Sequence, residues 1–142
     1  MRALGIAGIV LAAASGPSYV TVDAEFVPAA KAGADAHVAV MFTARDPDIR
    51  VNEEPGPRLK LATDEPVLVD KQKVPAKAPV YDPENPKYLD AALPVHLPVA
   101  IKPTAARGRH LVKAKLTYFY CSKREGWCRK GTEDVEFPVD VR

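Results

Sequence analysis

Serine, histidine and cysteine are all scarce in this 142-residue chain, and each scarcity removes a class of chemistry. The only serines are Ser15, Ser18 and Ser122, and none lies in a nucleophile-elbow motif, so serine hydrolysis lacks a candidate nucleophile. His37, His96 and His110 all precede the cysteines without paired spacing, and no histidine follows Cys128, which leaves a copper or zinc cluster short of ligands. No glycine-rich phosphate loop occurs. An excess of one charge is missing too: 20 Lys and Arg stand against 18 Asp and Glu, a net charge of +2. A surface that tracks a nucleic-acid backbone must neutralise many phosphates at once, so nucleic acid is not an expected partner. The acidic pairs Glu53-Glu54, Asp64-Glu65 and Glu133-Asp134 fall in apparent turns, where carboxylates are ordinarily solvated, and supply no glycosidase dyad.

Long hydrophobic runs are absent beyond the N-terminus. Met1 to Ala14, MRALGIAGIVLAAA, sets one positive charge at Arg2 before an apolar stretch too short to span a bilayer, and Ala12 and Ala14 stand as in a signal-peptidase site. Residues 1–14 read as a secretory signal ahead of a single domain over 19–142; the alternative is a frayed terminus or a first strand, since the run contains Gly5 and Gly8. No cysteine lies near it to carry a lipid anchor, and stable membrane insertion is not expected. The expected product is a soluble exported domain in an oxidising compartment such as the periplasm, where two cysteines are free to pair.

Helical periodicity is missing as well, and in its place apolar residues recur with period two. Val20, Val22, Ala24 and Phe26 alternate with Thr21, Asp23 and Glu25, and Val38 to Phe42 is apolar on both faces, as in a central strand. Shorter candidates are Ile49–Asn52, Arg58–Ala62 and Pro66–Val69. From Asp70 to Pro86 closely spaced prolines exclude regular structure and predict a long loop. Leu93 to Ile101 alternates again, with Pro94 and Pro98 placing it near a sheet edge. Val112 to Cys121 and Val135 to Val141 are the clearest pair of strands. Short strands and proline-rich turns in one domain predict an all-β, immunoglobulin-like two-sheet β-sandwich.

The only cysteines, Cys121 and Cys128, lie in YFYCSKREGWC, six residues apart across a hairpin-sized gap. Alternation puts Cys121 on the face of Lys113 and Lys115, which predicts the wetter side. Lys123, Arg124, Arg129 and Lys130 crowd the pair with Glu125 alone opposing them, an environment that favours the thiolate and speeds exchange. Tyr120 and Trp127 adjoin the cysteines in sequence and are candidates to shield the sulfurs. A static bridge closing so short a loop contributes about 2–3 kcal/mol, and spacing alone leaves the structural and redox readings open.

The ending LTYFYCSKREGWCRKGTEDVEFPVDV, with the upstream LPVHLPVAIKP, GRHLVKAKL and IRVNEEPGPRLKL, resembles the N-terminal periplasmic domain of the disulfide reductase DsbD and is similar to sandwich modules of thioredoxin-like NHL-repeat proteins. The resemblance covers about Tyr19 to Val141. It implies a sandwich whose Cys121 and Cys128 take electrons from a thioredoxin-like or membrane donor and pass them to oxidised exported proteins through mixed disulfides, with Cys128 as the site of the mixed disulfide. It also implies a movable cap over the pair, here the loop around Tyr81 to Asn85, with Tyr81 as aromatic cover and Asp82 or Glu84 handling protons. The cysteine gap is one residue longer than the DsbD pattern. No organic cofactor or metal is implied.

Overall fold

Alternating apolar and polar residues form the strands of a computed structural model that describes residues 19–29, 35–77 and 80–142. The segment read as a secretory signal, 1–14, and most of the turn expected at 32–35 lie outside the described residues. The strands are β1 (Val20–Val27), β2 (Ala36–Ala44), β3 (Ile49–Val51), β4 (Arg58–Leu61), β5 (Leu68–Asp70), β6 (Val95–Ile101), β7 (Gly108–Ser122) and β8 (Trp127–Val141). One sheet runs β1-β2-β6-β5; in the other, β7 pairs with β8 on one side and with β3 and then β4 on the other. All the strand pairs are antiparallel. The chain is thus the all-β two-sheet sandwich its periodicity predicts.

Between the sheets lie Val38, Val40, Phe42 and Val99 from the first and Val112, Leu116, Phe137 and Val139 from the second, all buried. Each fully buried side chain of this size contributes about 1.5–3 kcal/mol relative to exposure. Burial in β2 alternates, with Ala39 and Met41 only half-buried on the outer side, so the central strand is fully covered on one face and partly on the other.

Two expectations change. β6 is an interior strand between β2 and β5, not an edge. Its Pro98 is tolerated because the backbone N and C=O of a strand residue point to the same side. The Pro98 carbonyl accepts from Lys71 N at 3.1 Å, so the missing donor faces the very end of the three-residue β5 ladder. β8 starts at Trp127, eight residues before Val135. The polar stretch Cys128–Asp134 lacks an apolar signature yet pairs residue for residue with Lys115–Cys121, which extends the hairpin to its tip.

Candidate functional site

The hairpin tip is fastened to the turn between β2 and β3 through Asp48. Its carboxylate accepts from Arg124 N at 2.6 Å and from the Ser122 hydroxyl, its carbonyl accepts from Lys123 N at 3.3 Å, and Glu125 N donates to Ser122 Oγ at 3.0 Å. These bonds, the Ser122 hydroxyl first, hold the Asp48 carboxyl below its usual value of 3.8 against the opposing effect of burial. Gly126 closes the turn at φ +74°, a left-handed conformation that a residue without a Cβ adopts freely.

Just behind the tip, Cys121 and Cys128 are directly opposite in the β7–β8 register and are joined by a disulfide, with Cα atoms 4.0 Å apart. The two halves of the bond differ: Cys128 is exposed, whereas Cys121 is 2% exposed. The expected wetter position of Cys121 is therefore corrected. It does share the outer face with Lys113 and Lys115, but at its end of β7 that face is covered by the chain crossing from β3. Arg50 is opposite Cys121 in the ladder, and residues opposite each other share a face. Asn52 lies within 3.3 Å of the Cys121 sulfur through Oδ1 and is 1% exposed.

The long proline-rich segment closes over this edge. Glu53 N donates to Lys87 O at 2.8 Å and Leu89 N to Val51 O at 2.9 Å, with Asn52 and Tyr88 forming an isolated bridge, so 87–89 serves as an added strand beside β3. The Tyr88 hydroxyl meets that of Tyr81 at 3.3 Å. Burial, reinforced by Tyr81 and opposed by Arg50, pushes the Tyr88 phenol up to about 12. Tyr81 also lines, with Phe119, Thr117 and Leu59, a groove of about 980 Å3 along β4, and Phe119 is one outward position from Cys121 along β7. The structure thus brings Tyr81 to a groove shared with Phe119, the outward neighbour of Cys121 on β7. Asp82 Oδ1 accepts from Glu84 N at 3.0 Å within their own turn, and both residues are exposed.

Tyr120 and Trp127 do not lie over the sulfurs. The period-two alternation that places Cys121 and Cys128 outward turns their neighbours inward, where Tyr19, Tyr120 and Trp127 form a cluster with ring centroids 5.3 to 6.0 Å apart. The four expected cations separate likewise. Arg129 lies over the Trp127 ring at 4.1 Å on the inner side, and Arg124 approaches Asp46 at 3.5 Å and Asp48 at 4.0 Å. At the bridge's own end of the outer face, Lys130 and Arg50 hold register positions beside it.

Arg50, Asn52 and Tyr88 are the neighbours that reading the cysteine hairpin alone misses. A signal existed in IRVN, where Arg50 and Asn52 alternate with the buried Ile49 and Val51, but which strand they would join is a long-range fact. His37 and His96 meet on the other sheet with ring centroids 4.4 Å apart, and burial, then the charge of His96, lowers the His37 pKa below 6.5. Among the described residues no three His, Cys, Asp or Glu side chains gather as metal ligands, and no helix is long and apolar enough to cross a membrane. No family model, curated protein or solved structure matches the chain.

Proposed function

We propose that this chain is an exported thiol–disulfide interchange module, DsbD N-terminal-domain-like in its chemistry, that relays reducing equivalents to oxidised protein partners through Cys121 and Cys128. The observation that carries the reading is the asymmetry of the bond: an exposed sulfur-bearing residue, Cys128, joined to a buried one, Cys121. A donor dithiol attacks at Cys128, the bond to Cys121 breaks, and the donor's second thiol resolves the mixed disulfide, leaving the Cys121–Cys128 dithiol and an oxidised donor. Cys128 as thiolate then attacks the disulfide of an oxidised partner, and Cys121 resolves that intermediate, restoring the bridge and reducing the partner by two electrons. A disulfide also fits the oxidising compartment that the reading requires.

Burial of Cys121 favours a second reading, a noncatalytic protein-binding sandwich in which the bridge is a staple. Alkylation of the folded protein separates the two. Interchange predicts that a thioredoxin-like reductant opens the bridge quickly while the fold persists, so that both thiols are trapped. A bridge that yields only after denaturation rejects interchange and leaves the staple. Tyr81→Ala, which removes one wall of the neighbouring groove, is expected to speed alkylation of the reduced pair; an unchanged rate means that Tyr81 does not restrict access.

A further inference from the structure

We infer that Asn52 is a positioning residue for this chemistry: its side-chain amide binds the Cys121 sulfur and stabilises it as the leaving thiolate when the Cys121–Cys128 bond opens. The inference rests on the interchange reading and adds a residue to it. Two observations meet at this amide. Asn52 Oδ1 lies 3.3 Å from Cys121 Sγ, yet a carbonyl oxygen and a bonded disulfide sulfur have no proton to share, so that contact is no hydrogen bond while the bridge is intact. Asn52 Nδ2 is, among the described residues, the only buried side-chain nitrogen or oxygen with no hydrogen-bond partner. A buried amide donor without an acceptor costs folding free energy, and here the oxygen of that same amide is the atom that touches the sulfur.

A half-turn of the amide about its last torsion puts Nδ2–H where Oδ1 stands, aimed at Cys121 Sγ. A bonded sulfur is a weak acceptor, whereas a thiolate is a strong one, so the donor has little to do in the oxidised protein and a full acceptor once the bond breaks. The position is fixed beforehand. Asn52 N donates to Phe119 O at 2.8 Å, and the residues on either side are held by Lys87 and Leu89. The need is specific to Cys121, because 2% exposure penalises a thiolate that water would otherwise solvate. In the step itself, an incoming thiolate forms an S–S bond to Cys128, and the electron pair of the broken bond leaves on Cys121. The N–H of Asn52 then meets that charge without giving up its proton, and Arg50, opposite Cys121 in the ladder, adds a positive charge to the same face.

The test titrates Cys121 in a Cys128→Ser background by the ultraviolet absorbance of its thiolate, with Asn52 intact or changed to Leu. Loss of the donor is expected to raise the Cys121 thiol pKa by about one unit or more, a tenfold loss of thiolate at a given pH. With both cysteines present, Asn52→Leu is expected to slow reduction of the bridge by a thioredoxin-like dithiol several-fold, since the rate follows, with a fractional slope, the leaving thiol's pKa. Circular dichroism reports whether each variant folds; if Asn52→Leu does not, Asn52→Asp, of nearly the same shape, replaces the amide by a carboxylate and is expected to raise the pKa further. An unchanged Cys121 titration in a folded variant overturns the role given to Asn52. A shifted titration in a protein whose native bridge resists the dithiol upholds the contact between Asn52 and sulfur and rejects the interchange reading instead.

Discussion

The outward face of β7 is bare at one end and roofed at the other. Lys113 and Lys115 stand exposed, with Glu136 at 3.8 Å and Asp134 at 3.3 Å on the neighbouring strand, while on the same face of the same strand Phe119 is half-buried and Cys121 buried. Alternation along β7 is equal at both ends, so the difference comes from what crosses it. Opposite Lys115 the ladder offers Lys60, itself exposed; opposite Cys121 it offers Arg50, followed by Asn52 and the segment at 87–89 that bonds to β3. Burial of one sulfur on an otherwise solvated face is therefore a product of tertiary pairing, and it is what makes the two halves of the disulfide unequal.

The largest effect is expected where both ends behave alike, on the inner face. Phe137 is fully buried between the sheets, so Phe137→Ala is expected to cost about 3–5 kcal/mol in chemical denaturation. A loss below about 1 kcal/mol would mean that the sheets do not pack as described. Next comes the roofed end. Replacing Cys121 by Ala together with Cys128 by Ser is expected to cost about 2–3 kcal/mol, the entropy of closing the short loop. A negligible loss would show that the ladder and Asp48 hold the tip without the bridge.

Gly131 tests the inner face at the level where the outer one changes character. A Cβ there would lie 2.5 Å from Tyr118 Cζ, because the ring lies over the glycine from the opposite register position. Gly131→Ala is expected to cost about 1–3 kcal/mol through overpacking of this buried ring; unchanged stability would show that the Tyr118 ring can move aside. At the tip, Asp48 has a lowered folded pKa, so its contribution is present above 3.8 and is lost as the pH falls through the folded value. In Asp48→Asn that acid-dependent loss is expected to vanish and the Arg124 amide to exchange faster at neutral pH. Equal exchange rates would show that the carboxylate does not hold the turn.

Most of the fold is legible in the sequence because period-two alternation is local: β1 was visible in Val20–Phe26, β4 in Arg58–Ala62, and the inner side of β7 in Val112, Leu116 and Tyr118. Local patterns fail where a partner decides. Pro98 signals an edge, but its missing donor falls at the end of β5, so β6 remains interior. The polar run after Cys128 becomes a strand only because β7 lies beside it. For the candidate site, the sequence was sufficient to bring Cys121 and Cys128 within bonding reach across the hairpin. It misassigned Tyr120 and Trp127, although the same alternation that turns Cys121 outward turns both of them inward. Asn52 was hidden for a different reason: its significance lies in a contact 69 positions along the chain, with a sulfur whose own neighbours in sequence are elsewhere.

The smallest effect is expected at the bare end, and its smallness is the point of contrast with Asn52. Lys115 and Asp134 approach to 3.3 Å with side chains 54% and 84% exposed, so water and salt screen them and ordering two long side chains offsets much of the attraction. Lys115→Ala also removes a cation that faces Lys60 across the ladder, a like-charge pairing that opposes the gain from Asp134. The two contributions nearly cancel, and the net change in stability is expected to stay within about 0.5 kcal/mol at physiological salt. Denaturation of Lys115→Ala at low and high salt checks it: a loss above about 1 kcal/mol that survives high salt would show that this end is covered too, and the asymmetry along β7 would no longer explain why Cys121 is buried.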